Sequence, residues 1–425
     1  MITAHPLREA LHNEVHARPY ERMTAPLALT HIAVLPTADG ATRAHLDALL
    51  RARLLPLPAP DASHLSIELG GGLRLRWERH TEFQTYTFWR PLRDEPESFD
   101  AQALHEVPQD WLHSLPGQWL VGLHVIVSGS ADYAVQKLVR QSLDEDSLVA
   151  AEVMDELGEV YTDFRLHADG HARLILAAPG EVSPRRLGRT VQRLLEIETY
   201  RMSALLGLPA AREVGGALVH AESDLARIAG EIRSAQQQSE PELLLHLTQL
   251  AGQVESLYAR THARFSASAA YFELLQRRIS ELHEKRIHGL QTLGEFMDRR
   301  LAPAMQTCAW AARRQQALSE RISRTSNLLR TRVEIEQQQS SQALLDAMNR
   351  RQQAQLLLQS AVEGLSVAAI TYYGAGLVGY IAKGLREAGV NLQPELVVAI
   401  SIPLIAFGVW RGIRRLHNRV MATVH

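Results

Sequence analysis

The chain reads as an α+β membrane protein: an N-terminal cytoplasmic α/β domain, a long helical bundle or stalk, and a C-terminal two-helix transmembrane hairpin. Three observations predict this. Short alternations of apolar and polar residues, the mark of half-buried strands, fill the first 180 or so residues. Beyond Ser183-Pro184 glycine and proline become sparse, and apolar residues return every three or four positions. Near the end, Gly364 to Ala382 (GLSVAAITYYGAGLVGYIA) runs about 19 residues without a charge, enough for a helix to cross a bilayer. The expected divisions are 1–180, 181–355 and 356–425.

A chain of 425 residues suffices for two or three structural units. Its formal net charge of −2 lacks the basic excess of a general nucleic-acid binder, so no nucleic-acid partner is expected. The single cysteine, Cys308, excludes an internal disulfide framework and a cysteine-based zinc finger. The opening MITAHPLREALHNEVHARP has no apolar run resembling a secretory signal, so the N-terminal body is expected in the cytoplasm.

In chain order, strands are expected at Leu29–Leu35, His64–Leu69, Leu73–Arg79, Phe83–Arg90, Trp119–Val127, Leu148–Met154 and Ala172–Ala177. LRLRWERH and FQTYTFW flank a short polar turn and read as a hairpin. Gly70-Gly71-Gly72 joins two strands and lacks the following helix that a phosphate loop needs, so it reads as a turn. Asp169-Gly170 marks a second turn. HLDALLRARLL and DYAVQKLVRQSL carry helical spacing. RRLGRTVQRLLEIETYRMSALLG predicts a helix ended by Gly207 and Pro209, and AAREVGGALVHAESDLARIAGEIRSAQQQ a second. A third starts at Ser239-Glu240-Pro241, with Ser239 as its cap. The next long helix has Pro303 near its start and continues into the first span. Its Leu328, Leu329, Val333, Ile335, Leu344, Leu345 and Met348 are too irregular for a clean heptad coiled coil and suit a bundled stalk.

The second apolar run, Leu396 to Trp410, holds about 15 uncharged residues and is expected to extend past Glu395. Arg350 and Arg351 precede the first run, and Arg411, Arg414, Arg415 and Arg419 follow the second. By the positive-inside rule both termini face the cytoplasm of a bacterial inner membrane, with membrane lipid as the first partner. Glu363 stands at the ambiguous inner edge. It is either a solvated boundary residue or an intramembrane carboxylate lining a hydrated path or an interface. Ser366, Gly374 and Gly376 permit close helix packing. With Thr371, Tyr372 and Tyr373 they fit either an oligomeric pore or a packing seam.

Two resemblances follow. His5 to Leu35 (HPLREALHNEVHARPYERMTAPLALTHIAVL) and Glu363 to Leu385 resemble an uncharacterised bacterial family of predicted membrane-anchored proteins, over the whole chain. The layout also resembles CorA-type divalent-metal transporters: an α/β domain, a stalk helix running into the first span, a short outer loop, a second span and a basic tail. That resemblance implies a pentamer with the first span lining the pore and a divalent cation such as magnesium as cargo. Tyr373-Gly374-Ala375-Gly376 stands where those transporters carry Tyr-Gly-Met-Asn, and Gln393-Pro394-Glu395-Leu396 is similar to their outer loop. The Met and Asn of the signature have no counterpart here.

Two further constellations carry metal-ligating residue types. His12, Glu14 and His16 share a face in a strand, and His12 and His16 are i,i+4 in a helix. Asp144, Glu145 and Asp146 offer carboxylate oxygen to a hydrated magnesium ion, or form a solvated loop. No Ser/His/Asp set or phosphate-binding loop stands out, so enzymatic function is not expected. The expected function is divalent-cation permeation by a homo-oligomer of CorA-like architecture with a cytoplasmic sensing domain. The alternative is a non-conducting, membrane-tethered scaffold or sensor that recruits a cytoplasmic partner.

Overall fold

The computed structural model describes residues 4–9, 11–12, 19–37, 40–99, 102–130, 133–180, 182–234, 240–388 and 393–422. Packing divides the chain into two units, Met1–Ser326 and Asn327–His425.

The first unit is built on a sheet of nine strands among the described residues: β1 (Leu27–Leu35), β2 (His64–Gly70), β3 (Leu73–Arg79), β4 (Gln84–Pro91), β5 (Gln118–Ser128), β6 (Val149–Val153), β7 (Gly158–Thr162), β8 (Ala172–Ala177) and β9 (Lys285–Arg286). Their order is β2-β3-β4-β1-β5-β8-β7-β6-β9. β5 and β8 run parallel; the other neighbours run antiparallel. Either half has the same element order, a strand, a helix and a three-strand meander whose last strand returns beside the first. The helices are α1 (Ala41–Ala52) and α4 (Tyr133–Ser142). The halves differ in direction, because β4 opposes β1 whereas β8 follows β5.

Alternation along the strands sends side chains to two faces. Leu123, Val125 and Val127 of β5 enter one core with Val191 and Leu194 of α5 (Pro184–Leu205) and with Leu275 of α7 (Glu240–Leu282). The same core takes Met297 of α8 (Leu293–Arg300) and Met305 and Cys308 near the start of α9 (Ala302–Glu387). The sheet and the helices after Ser183 therefore share one apolar interior. On the opposite face, Leu46 and Leu50 of α1 cover β1–β4 together with α2 (Gln102–His105) and α3 (Gln109–His113). There α4 covers Ile126, Ile175 and Tyr161. β5 thus runs between two separate helical covers.

Local chemistry explains the boundaries. Ser183 Oγ accepts from the Arg186 amide and Pro184 opens α5, as a cap followed by proline should. Thr292 and Glu295 form a reciprocal capping box at the start of α8. Gly207 and Pro209 end nothing: α6 (Gly207–Ser234) begins immediately, because proline is tolerated in a first helical turn. Pro303 likewise sits at the start of α9. The expected cap Ser239 lies outside the described residues.

The second unit consists of the distal part of α9, a helix of 86 residues in all, and α10 (Pro394–Ala422). Both helices are long and apolar enough to cross a membrane by length and composition.

Candidate functional site

The site residues expected from the sequence fall into three places. Those near the C-terminus lie on α9 and at the start of α10. Thr371, Ala375 and Ala382 are buried, and their spacing draws one stripe along α9. Gly374 and Gly379 flank that stripe and face α10. A Cβ at Gly374 would lie 3.3 Å from Ile405 Cγ2, and one at Gly379 would lie 3.2 Å from Val398 Cγ2. The small residues therefore form the seam within the hairpin. Gly376 faces open space, and Tyr372 and Tyr373 are exposed. Ser366 and Thr371 donate to the Val362 and Val367 carbonyls one turn back. Glu363 accepts from Gln359 Nε2 at 3.3 Å. Glu395 is exposed in the first turn of α10, where a carboxylate complements the helix dipole.

The acidic run is a turn. Asp144 Oδ1 accepts from the Asp146 amide, capping the short 3-10 segment Glu145–Ser147, and Asp144 Oδ2 pairs with Arg165. Glu145 and Asp146 are exposed. His12 is exposed on a short helical turn; Glu14 and His16 lie outside the described residues.

The residues that do converge are ones the sequence did not mark as ligands, although Asp169 was expected in a turn. His124 of β5, Asp169 and His171 bring one ligand atom apiece within 4.8 Å of one another, and they are the only such group of three among the described residues. Each is placed by the sheet. Antiparallel register sets Thr30 of β1 opposite His124, and Thr30 Oγ1 lies 2.8 Å from His124 Nδ1. The parallel β5–β8 pairing brings the segment leading into β8 alongside. The Asp169-Gly170 turn, with Gly170 at φ +78, lifts His171 onto His124. The two rings stack with centroids 4.0 Å apart and planes 20° apart.

His171 Nδ1 lies 2.9 Å from the Asp169 carbonyl. A carbonyl only accepts, so Nδ1 carries the proton and Nε2 presents its lone pair. Nε2 of His124 and of His171 are both buried without a hydrogen-bond partner among the described residues. Asp169 Oδ2 is 4.0 Å from His124 Nε2 and 3.4 Å from Arg173 Nη2. Burial, His171, Arg173 and His105 push the His124 pKa down to about 3, against the pull of Asp169. Burial raises the Asp169 carboxyl, but the His171 amide, His124 and Arg173 outweigh it and hold it below its usual value. A neutral His124 beside an ionised Asp169 is the protonation state a metal ion requires.

Residues 3–420 match a family described as protein of unknown function, DUF3422. The chain belongs to that family. As a DUF3422 member it matches the uncharacterised family expected from its opening and its first apolar run. No curated protein matches this DUF3422 chain, and the CorA-type resemblance expected from its layout is not confirmed. Cys308, the only cysteine of the DUF3422 chain, is buried, and burial raises its thiol pKa. That is the environment of a packed rather than a reactive thiol.

Proposed function

We propose that this DUF3422 protein is a membrane-tethered scaffold or sensor whose C-terminal hairpin is an anchor. The observation that carries this reading is the inverted burial of the hairpin. Its small residues pack inward along the Thr371–Ala382 stripe, while Leu365, Tyr373, Leu377, Leu404 and Phe407 are exposed. Water does not tolerate such a continuous apolar surface, whereas lipid does. Arg350, Arg351 and the basic tail support a topology with both ends on the inner side and the loop near Glu387 on the outer side. The chain before Asn327 then stays in the cytoplasm of a bacterial cell, where the sheet domain recruits or senses a partner.

Single-cysteine labelling tests the topology. In a Cys308→Ser background, a cysteine at Glu387 is modified by an impermeant maleimide on intact spheroplasts. Cysteines at Gln337 and at Asn418 are modified only after lysis. The reverse pattern, or equal labelling at all three, overturns the reading.

A second reading, divalent-cation permeation by a CorA-like homo-oligomer, is favoured by the face that the hairpin leaves uncovered: Tyr372, Tyr373 and Gly376. A pentamer would bring five such faces to one axis. Cation flux into liposomes carrying the purified protein, reduced by Glu363→Gln, would establish it. Absence of flux under conditions where a known channel conducts would leave the anchor reading alone.

A further inference from the structure

We infer that His124, Asp169 and His171 bind one divalent transition-metal ion of the zinc class in the sheet domain, a site that does not depend on the hairpin crossing lipid.

A buried polar atom without a partner is costly, so such atoms are rare and call for an explanation. Two imidazole Nε2 atoms lie in this condition side by side, with a carboxylate oxygen 4.0 Å from one of them. A cation between the three atoms satisfies both nitrogens at once and takes the Asp169 carboxylate as its third ligand, which the ring stacking does not do.

Metal-ligating histidines are oriented by a hydrogen bond at the other ring nitrogen. Both rings have one here, to Thr30 Oγ1 and to the Asp169 carbonyl. Thr30 is held opposite His124 by the β1–β5 register rather than by a loop. Asp169 is fixed in turn: Oδ1 accepts from the His171 amide at 3.0 Å, leaving Oδ2 to face the histidines.

Ligand atoms on one tetrahedral zinc ion lie roughly 3.3 Å apart, so a group spanning 4.8 Å must contract by about 1.5 Å at its widest. Asp169 has the most room to adjust about its Oδ1 anchor: its side chain is 37% exposed, whereas that of His124 is 3% exposed. Swinging Asp169 inward means leaving Arg173, and tilting the rings apart means giving up their stack. Both contacts are weak enough for a metal ion to displace.

The donor set decides the ion. Two imidazoles and one carboxylate suit zinc, cobalt, nickel or copper, whereas magnesium and calcium prefer oxygen throughout. Three protein ligands leave a coordination position free for water or a small anion.

The test uses the full chain, purified in detergent, stripped with chelator and titrated with Co2+. One equivalent should produce visible ligand-field absorption, which Zn2+ abolishes and millimolar Mg2+ does not. His124→Gln and His171→Gln should lose the signal. Asp169→Asn, at a half-exposed turn where folding is not at stake, should weaken binding at least about tenfold, and Thr30→Val about tenfold. His12→Gln should change nothing. Circular dichroism checks that each variant is folded. No saturable signal, an unchanged signal in Asp169→Asn and His171→Gln, or displacement by Mg2+ as readily as by Zn2+ would overturn the assignment.

Discussion

Gly122 of β5 lies against His171: a Cβ at that position would be 2.8 Å from His171 Cδ2 and 3.3 Å from the Gly170 carbonyl. The absence of a side chain is what lets the histidine lie down on its partner. Gly122→Ala therefore pushes the ring away while leaving all three donors in the sequence. Metal affinity, measured by competition with a chromogenic chelator, should fall about 10- to 100-fold, as when a supporting contact is lost. Wild-type affinity in this variant would show that the close approach is packing alone.

The hairpin seam makes a prediction about which glycines matter. Gly374→Val and Gly379→Val drive a methyl into Ile405 or Val398, and such overpacking costs about 1–3 kcal/mol. Both should lower the thermal midpoint of the detergent-solubilised protein. A Cβ at Gly376 meets nothing within 4 Å, so Gly376→Val should leave that midpoint unchanged. If Gly376→Val instead changes the size of the particle in solution, the uncovered face is an interface between copies.

His31, at the centre of the sheet, makes stability pH-dependent. Thr199 Oγ1 donates to the Leu195 carbonyl, so it accepts from His31 Nε2–H at 3.0 Å. Nδ1 then accepts the Thr87 hydroxyl at 2.8 Å, and the ring is neutral. Burial pushes its pKa down to about 4, with His80 and Arg76 adding to the shift and Glu78 opposing it. The unfolded chain takes up this proton near 6.5, and the folded chain does not until about 4. Stability therefore rises with pH across that window and is lost as pH falls through it, by up to about 3 kcal/mol. Thermal midpoints of wild type and His31→Gln between pH 7 and pH 4.5 should converge toward the acid end. Parallel curves would contradict the neutral ring.

Glu198 and Arg201 of α5 form a two-point ion pair at 2.8 and 2.6 Å, and the guanidinium lies 5.2 Å from the Phe164 ring centre. Both are largely buried, with side-chain exposures of 6% and 15%. Glu198→Ala strands a cation in the core, which destabilises by about 3 kcal/mol. Glu198→Gln keeps the hydrogen-bonding shape and should lose less. Chemical denaturation reads the difference.

Much of the fold was legible because its signals are local. All seven expected strands are present, within two residues at either end. β7 escaped notice because four of its five residues are buried, which erases the alternation that marks a half-buried strand. β9, only Lys285-Arg286, is drawn in by main-chain pairing with β6, and no side-chain pattern announces that. Gly207-Leu208-Pro209 looks like a stop, yet Leu206 keeps a helical backbone. The site was hidden for a different reason. Its Asp169-Gly170 turn was visible, but His124 sits inside the apolar run LVGLHVIVS as one more strand residue. Only the parallel pairing of β5 with β8 brings the two together, and no spacing in the sequence encodes that register. The acidic run drew attention by composition, although Asp144 serves as a cap and an ion-pair partner.

The measurement that bears most directly on the account is alkaline carbonate extraction of membranes from cells expressing the intact chain. A protein held by two apolar helices stays in the pellet at high pH and is released only by detergent, and that is the expected result. Recovery of the full-length chain in the carbonate supernatant, still folded, would mean that Tyr373, Leu377 and Leu404 meet protein instead of lipid, and would contradict the anchor.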